Sequence, residues 1–243
     1  MFKIILVLAL AGASLHAAAI PKITVGSMYD FIESDKSTLL KRIRNSGDDT
    51  GYVRVDVSEV TYLPNGGKSE KKIDATAAAS GKVDGLIFTP SRMIIPANSM
   101  QTGRLVVVGK RDKERYYRVR YIPVMPKDQY EFGQSKKQYD EYKKSLNAGV
   151  SILTGYGAMV IVRPENVVFN TDIAQRDNKI IITNKGNSSI KLEGIKLCQG
   201  GKCGDASSVI LMPGKQHNLK QESQKNWQFT LLEGSKKTPK KFG

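Results

Sequence analysis

The feature that most restricts this chain is a period of two. From residue 20 to residue 232, apolar side chains recur at alternate positions in short runs closed by Gly, Pro, Asn or Asp, and no segment offers a long amphipathic helix. Successive side chains of a strand leave opposite faces, so alternation marks a half-buried strand. In residues 52–57, Val53, Val55 and Val57 share one face while Arg54 and Asp56 share the other. Residues 114–124 form a second strong run, stopped by Pro123 and Pro126. Further strands are expected at 20–25, 38–43, 86–90, 93–96, 104–108 and 150–162. After Arg163-Pro164 the pattern restarts, with strands expected at 166–170, 179–183, 190–198, 209–212, 217–219 and 227–232. Residues 68–81 read as a polar loop, and 127–147 as either a helical turn or a mobile connection. Many short strands at this spacing predict an all-β chain of sandwiches.

The first residues predict export. Lys3 gives a positive start, residues 4–10 are continuously apolar, and Ala17-Ala18-Ala19 supplies the small residues of a cleavage site. Residues 1–19 therefore read as a secretory signal peptide. The apolar run is shorter than the roughly 20 residues a spanning helix needs. In an exported chain, Cys198 and Cys203 of Cys-Gln-Gly-Gly-Lys-Cys predict a local disulfide. A metal site would need more ligands, and only His217 is near in sequence, so no metal is expected. The formal net charge is +15, but the basic residues are spread and mixed with Asp and Glu. That pattern fits a solvated surface that steers toward acidic partners rather than a nucleic-acid stripe.

Catalysis has little to stand on. The chain has two histidines, of which His16 leaves with the signal and His217 follows a Pro-Gly turn as a surface residue. There is no Gly-x-Ser-x-Gly elbow, no phosphate-cradling glycine loop and no His-Glu-x-x-His. Neither an enzyme nor a cofactor is expected.

From residue 114, Glu-Arg-Tyr-Tyr-Arg-Val-Arg-Tyr-Ile-Pro resembles the periplasmic pilus chaperones. Other pieces agree in order: Thr89-Pro90 through Pro96-Ala97, the Asn184-Lys185-Gly186-Asn187 turn, and Met212-Pro213-Gly214-Lys215. Tyr116-Tyr117-Arg118-Val119 and an apolar strand ending near Val162-Arg163-Pro164 resemble the alternate chaperone–usher branch, including the common-pilus type. The resemblance implies two immunoglobulin-like sandwiches in an L, or boomerang. On that reading 20–163 form the first domain, 164–235 the second, and 236–243 a disordered basic tail. It also implies a periplasmic location, pilus subunits and an outer-membrane usher as partners, no membrane insertion, and possible self-association of the free protein. The alternative is an exported pilus subunit or adhesive surface sandwich. The short sequence before residue 25 disfavours it, because a pilin carries an extended donor segment there.

The resemblance makes residues 150–162 the strand lent to subunits. Strand addition takes affinity from main-chain hydrogen bonds and specificity from alternate side chains. The expected division gives Val150, Ile152 and Thr154, with Tyr156, to the subunit, and residues 158–162 to the chaperone's own core. The opposite register remains open, since a one-residue slip exchanges the faces. The family also anchors the subunit's terminal carboxylate on basic residues. The better-known branch has lysine four residues before the Arg-Pro link, where this chain has Met159. Lys41, on the apolar face of its strand with Leu39 and Ile43, and Arg118 are the expected anchors, with Arg120, Arg42 and Lys22 in reserve.

Overall fold

The computed structural model describes residues 21–146 and 153–243. Along the first part run β1 (Ile23–Thr24), β2 (Tyr29–Ile32), β3 (Thr38–Asn45), β4 (Gly51–Tyr62) and β5 (Lys68–Lys72). The short helix α1 (Ala75–Ala79) leads to β6 (Gly85–Thr89), β7 (Arg92–Ile95), β8 (Met100–Val108) and β9 (Arg115–Pro123). Helix α2 (Lys136–Leu146) precedes β10 (Tyr156–Val162). The second part holds β11 (Thr171–Arg176), β12 (Lys179–Asn184), β13 (Ile190–Gln199), β14 (Lys202–Cys203), β15 (Ser207–Leu211), β16 (Gln216–Lys220), β17 (Asn226–Glu233) and β18 (Lys236–Phe242).

Each part is a sandwich with its own core. In the first, sheet β1-β3-β8-β6 packs on sheet β2-β10-β9-β4-β5, with β7 also paired to β4. The alternation read in β4 and β9 supplies this core: Val53, Val55 and Val57 are buried against Tyr117, Val119 and Tyr121. In the second, sheet β11-β12-β16 packs on β14-β13-β17-β18, with β15 on β13. Ile180, Ile182, Ile190, Leu192, Phe229 and Leu231 fill the space between them. Both sandwiches are immunoglobulin-like. Cys198 and Cys203 are disulfide-bonded and face each other across β13 and β14.

Four segments differ from expectation. Residues 236–242 form β18, paired with β17 from Trp227 to Glu233 rather than disordered. Phe242 stacks on Phe229 and packs against the core, which holds the strand. Its lysines then lie on a sheet edge, where charge hinders further pairing. Residues 68–79 are β5 and α1, with the Asp74 carboxylate accepting from the Thr76 and Ala77 amides as the helix cap. Residues 136–146 are a helix opened by a capping pair: Ser135 Oγ accepts from the Gln138 amide, and Gln138 Oε1 accepts from the Ser135 amide. Tyr142 of this helix lies 4.5 Å from the Tyr52 ring. Finally, 166–170 is irregular and the strand comes one segment later, as β11. The amide of Val168 is taken by the Asn187 side chain, and the Val168 and Asn170 carbonyls accept from Asn187 and Lys185.

Candidate functional site

β10 lies between β9, which it pairs antiparallel along its full length, and β2, which it pairs parallel only from Met159 to Val162. Ala158, Val160 and Val162 are buried in the first core, and Tyr156 packs against it half-buried. The even positions of β10 thus face inward. The Met159 amide donates to the Met28 carbonyl at 2.8 Å, and the Arg163 amide to the Ile32 carbonyl at 3.1 Å. Odd-numbered backbone groups therefore point toward β2. Backbone direction alternates along a strand, so Gly157 turns its N–H and C=O the same way. There β2 has not begun, and among the described residues no strand pairs with that edge. Thr154 is exposed and Leu153 half-buried. Val150 and Ile152 lie outside the described residues.

The open edge is bordered by a basic face. Arg118 stands opposite Met159, and Arg120 opposite Gly157. Both side chains lie on the outer face of the sheet, since Tyr117, Val119 and Tyr121 point into the core. A cavity of about 480 Å³ is lined by Arg118, Arg120, Ile122, Gly155, Gly157 and Met159, with Met28, Tyr29 and Tyr156 completing it. Met28, Tyr29 and Met159 also line a second cavity of about 450 Å³, which reaches Lys191, Ser208, Ile210 and Met212 of the second sandwich. Large apolar side chains remain exposed around it: Tyr29 at 54%, Met28 and Tyr62 at 42% each. Exposed apolar groups gathered beside a cleft are the mark of an interaction surface.

Arg118 does not stand free. Its Nη1 is 2.6 Å from Glu70 Oε1, and Arg120 is bound to Glu70 Oε2. The Arg120 hydrogen bond holds the Glu70 carboxyl below the usual carboxylate range, with Arg118 adding to the effect against partial burial. Lys41 points into the sandwich and is 5% exposed. Its ammonium donates to Asp30 Oδ2 and to the Ser27 carbonyl, each at 2.6 Å. An inward charge needs such partners, and these fix the turn that leads into β2. Arg42 and Lys22 are exposed.

Sequence reasoning missed the clasp between the sandwiches. The Arg163 guanidinium is enclosed, donating to Ser188 Oγ at 2.6 Å and the Ser189 carbonyl at 2.8 Å, with Glu33 Oε2 at 2.9 Å. It lies between the rings of Phe31 and Phe169, 4.7 and 5.1 Å from their centroids. Glu114 accepts from Ser188 Oγ, the Ser189 amide, Ser189 Oγ and Tyr116 Oη. Ser188 bridges the two charges, accepting from Arg163 and donating to Glu114. Burial, followed by Glu114, pushes the Tyr116 phenol far up. Arg111 adds a fan of donors to the carbonyls of Arg163, Ile32, Glu33, Ser34 and Lys36. The nearest signal in the sequence was Glu114, which opens the Tyr-Tyr-Arg-Val match; its serine partners, Ser188 and Ser189, follow directly on the Asn184-Lys185-Gly186-Asn187 turn.

The fold and this face define a class: two immunoglobulin-like sandwiches clasped by buried charges, with one uncharged strand edge that no described strand covers, beside a cleft. Among the described residues no cluster of His, Cys, Asp and Glu could hold a metal ion, and no helix is long and apolar enough to cross a membrane. No protein-family model matches the chain. A probable fimbrial chaperone EcpB of Escherichia coli O7:K1 is 28% identical over 196 residues, covering 79% of this chain and 78% of its own. A probable fimbrial chaperone EcpB of Escherichia coli O157:H7 is 27% identical over 220 residues, covering 88% and 87%. Among solved structures, the class 5 fimbriae chaperone CfaA superposes with TM-score 0.55 at 19% identity, over 90% of this chain and 98% of its own. A chain from the Salmonella enterica complex of SafA pilin with the SafB chaperone gives 0.53 at 13% identity, over 93% and 98%. The chain is thus similar in sequence to probable fimbrial chaperones and shares its fold with solved pilus chaperones.

Proposed function

We propose that this protein is a periplasmic chaperone that caps pilus subunits by lending them the edge of β10, and then yields them to an outer-membrane usher. One observation carries the reading. Gly157 turns its backbone groups to an edge that β2 does not cover, and it does so beside Arg118. A subunit strand laid there gains main-chain hydrogen bonds, and the exposed Tyr29 and Met28 gain cover. The edges β5 and β18 carry lysines that discourage pairing, whereas residues 153–158 carry no charge. In this reading Val150, Ile152 and Thr154 continue the strand into the subunit, with Tyr156 at the boundary. Arg118 takes the subunit's terminal carboxylate. Lys41 contributes from beneath, by fixing the Ser27–Asp30 turn. The complex of SafB with SafA pilin gives the kind of partner expected.

The test is co-expression with pilus subunits of the source organism. Wild type should co-purify with a subunit as a one-to-one complex. Replacing Val150 and Ile152 by aspartate should leave the chaperone folded and the subunit lost to proteolysis. Full recovery of the complex from that variant would overturn the strand-lending reading.

A further inference from the structure

Glu70 is out of place as an edge residue. Its strand, Lys-Ser-Glu-Lys-Lys, is a short exposed edge whose lysines suit that position. The Glu70 side chain instead folds down onto the sheet, 21% exposed, and spends one carboxylate oxygen on each of two arginines. Arg118 and Arg120 are two apart on one strand, so their side chains leave the same face and repel. Glu70 reaches them from β5 across β4, over Ser58, to which Arg120 also donates at 3.4 Å. The other nearby carboxylate, Asp56, is engaged elsewhere, 3.1 Å from Lys72 and 3.5 Å from Arg54.

We propose that the Glu70 carboxylate is a built-in stand-in for a ligand carboxylate: it holds Arg118 and Arg120 as a pair in the free protein, and a chain terminus docking at the β10 edge must displace it. The inference rests on the reading of Arg118 as the anchor and adds what occupies the anchor beforehand. A terminal carboxylate has the same charge and the same two oxygens as Glu70, and charge-assisted pairs of this geometry are strong enough for one to replace the other. The arginines line the cavity that contains Gly157 and Met159, so an incoming terminus meets them at the open edge. Glu70 then sets affinity: it keeps two like charges from spreading apart, and it lowers the net gain from binding.

The experiment uses the full mature protein and a synthetic peptide, Val-Thr-Val-Thr-Tyr, with either a free C-terminal carboxylate or an amide. Binding is followed by NMR of the arginine side-chain N–H groups. Glu70→Gln should bind the carboxylate form about 3- to 10-fold more tightly than wild type, and the amide form unchanged. Glu70→Ala, a second route to the same loss of charge, should agree. If both variants match wild type while Arg118→Ala abolishes the preference for carboxylate, the stand-in role is overturned and the anchor survives. If Arg118→Ala keeps that preference, or no variant shows carboxylate-dependent shifts at either arginine, the anchor reading fails and the stand-in with it.

Discussion

Arg118 stands directly opposite Met159 in the β9–β10 ladder. The resemblance led to a lysine at the position of Met159; here the cation is one strand away, at the same height and on the same outer face. Directly opposed side chains in an antiparallel pair have Cβ atoms about 5 Å apart, so charge moved between them stays within reach of one ligand group. Exchanging the two should therefore be tolerated. The double variant Arg118→Met with Met159→Lys is expected to retain subunit capture in co-expression, whereas Arg118→Met alone loses it. Equal loss in both would show that the anchor needs the guanidinium, not just a cation at this height.

The clasp around Arg163 predicts a large loss of stability. Its side chain is 4% exposed and that of Glu114 2%, so removal of one charge strands the other away from water. Breaking a buried pair by truncating one partner costs about 3–5 kcal/mol. Arg163→Ala should fall in that range in urea unfolding. Arg163→Lys should recover only part, because an ammonium cannot reproduce a planar guanidinium held between Phe31 and Phe169. A loss below about 1 kcal/mol, the range of exposed pairs, would mean the clasp is solvated.

The disulfide predicts a smaller effect. It joins residues five apart and closes the β13–β14 hairpin. Chain entropy for so short a loop gives roughly 2 kcal/mol. Cys198→Ser with Cys203→Ser should lower the unfolding free energy measured in urea by that amount while leaving subunit capture intact, since the bridge lies in the second sandwich.

What the sequence disclosed follows from where each signal is written. Val53, Val55 and Val57 alternate with polar residues, so β4 and its buried face were readable locally, and β9 likewise. β18 was not, because lysines dominate it and the residue that docks it, Phe242, comes at its end. Helix α2 was hidden by its polarity, although Ser135 and Gln138 carry the capping spacing. The Arg163–Ser188–Glu114 clasp joins residues 25 and 74 positions apart, and no local pattern encodes it. At the open edge, the basic strand could be read but its internal occupant could not. Glu70 belongs to a segment that looked like a polar loop, and only the β4–β5 pairing brings it over the arginines.

His217 predicts an acid dependence. It lies in β16 opposite Ile182, and burial lowers its pKa below 6.5 in the folded protein. The unfolded chain therefore binds this proton more readily, and stability falls as pH drops through 6.5 toward the folded value. Above that window the residue contributes no pH dependence. Urea midpoints at pH 7.5 and pH 5.5 should move further apart for wild type than for His217→Gln. An equal shift in both would assign the acid sensitivity to carboxylates instead.

The open edge predicts that one amide matters more than its neighbours. Gly157 turns its N–H away from β9, so proline there removes a donor that no described strand takes up. Ala158 turns the other way, into the β9 ladder, and proline at that position removes an internal bond. Edge strands accept proline where the missing N–H faces outward. Gly157→Pro should thus remain folded by circular dichroism yet fail to capture a subunit. Gly157→Ala is the control for side-chain bulk, since a Cβ there meets Arg118 Cδ at 3.7 Å, an ordinary contact. It should bind like wild type. Capture by Gly157→Pro at wild-type level would mean that subunit strands do not pair with this edge of β10. The exposed Tyr29 and Met28 would then have to carry the interaction by side-chain contact alone.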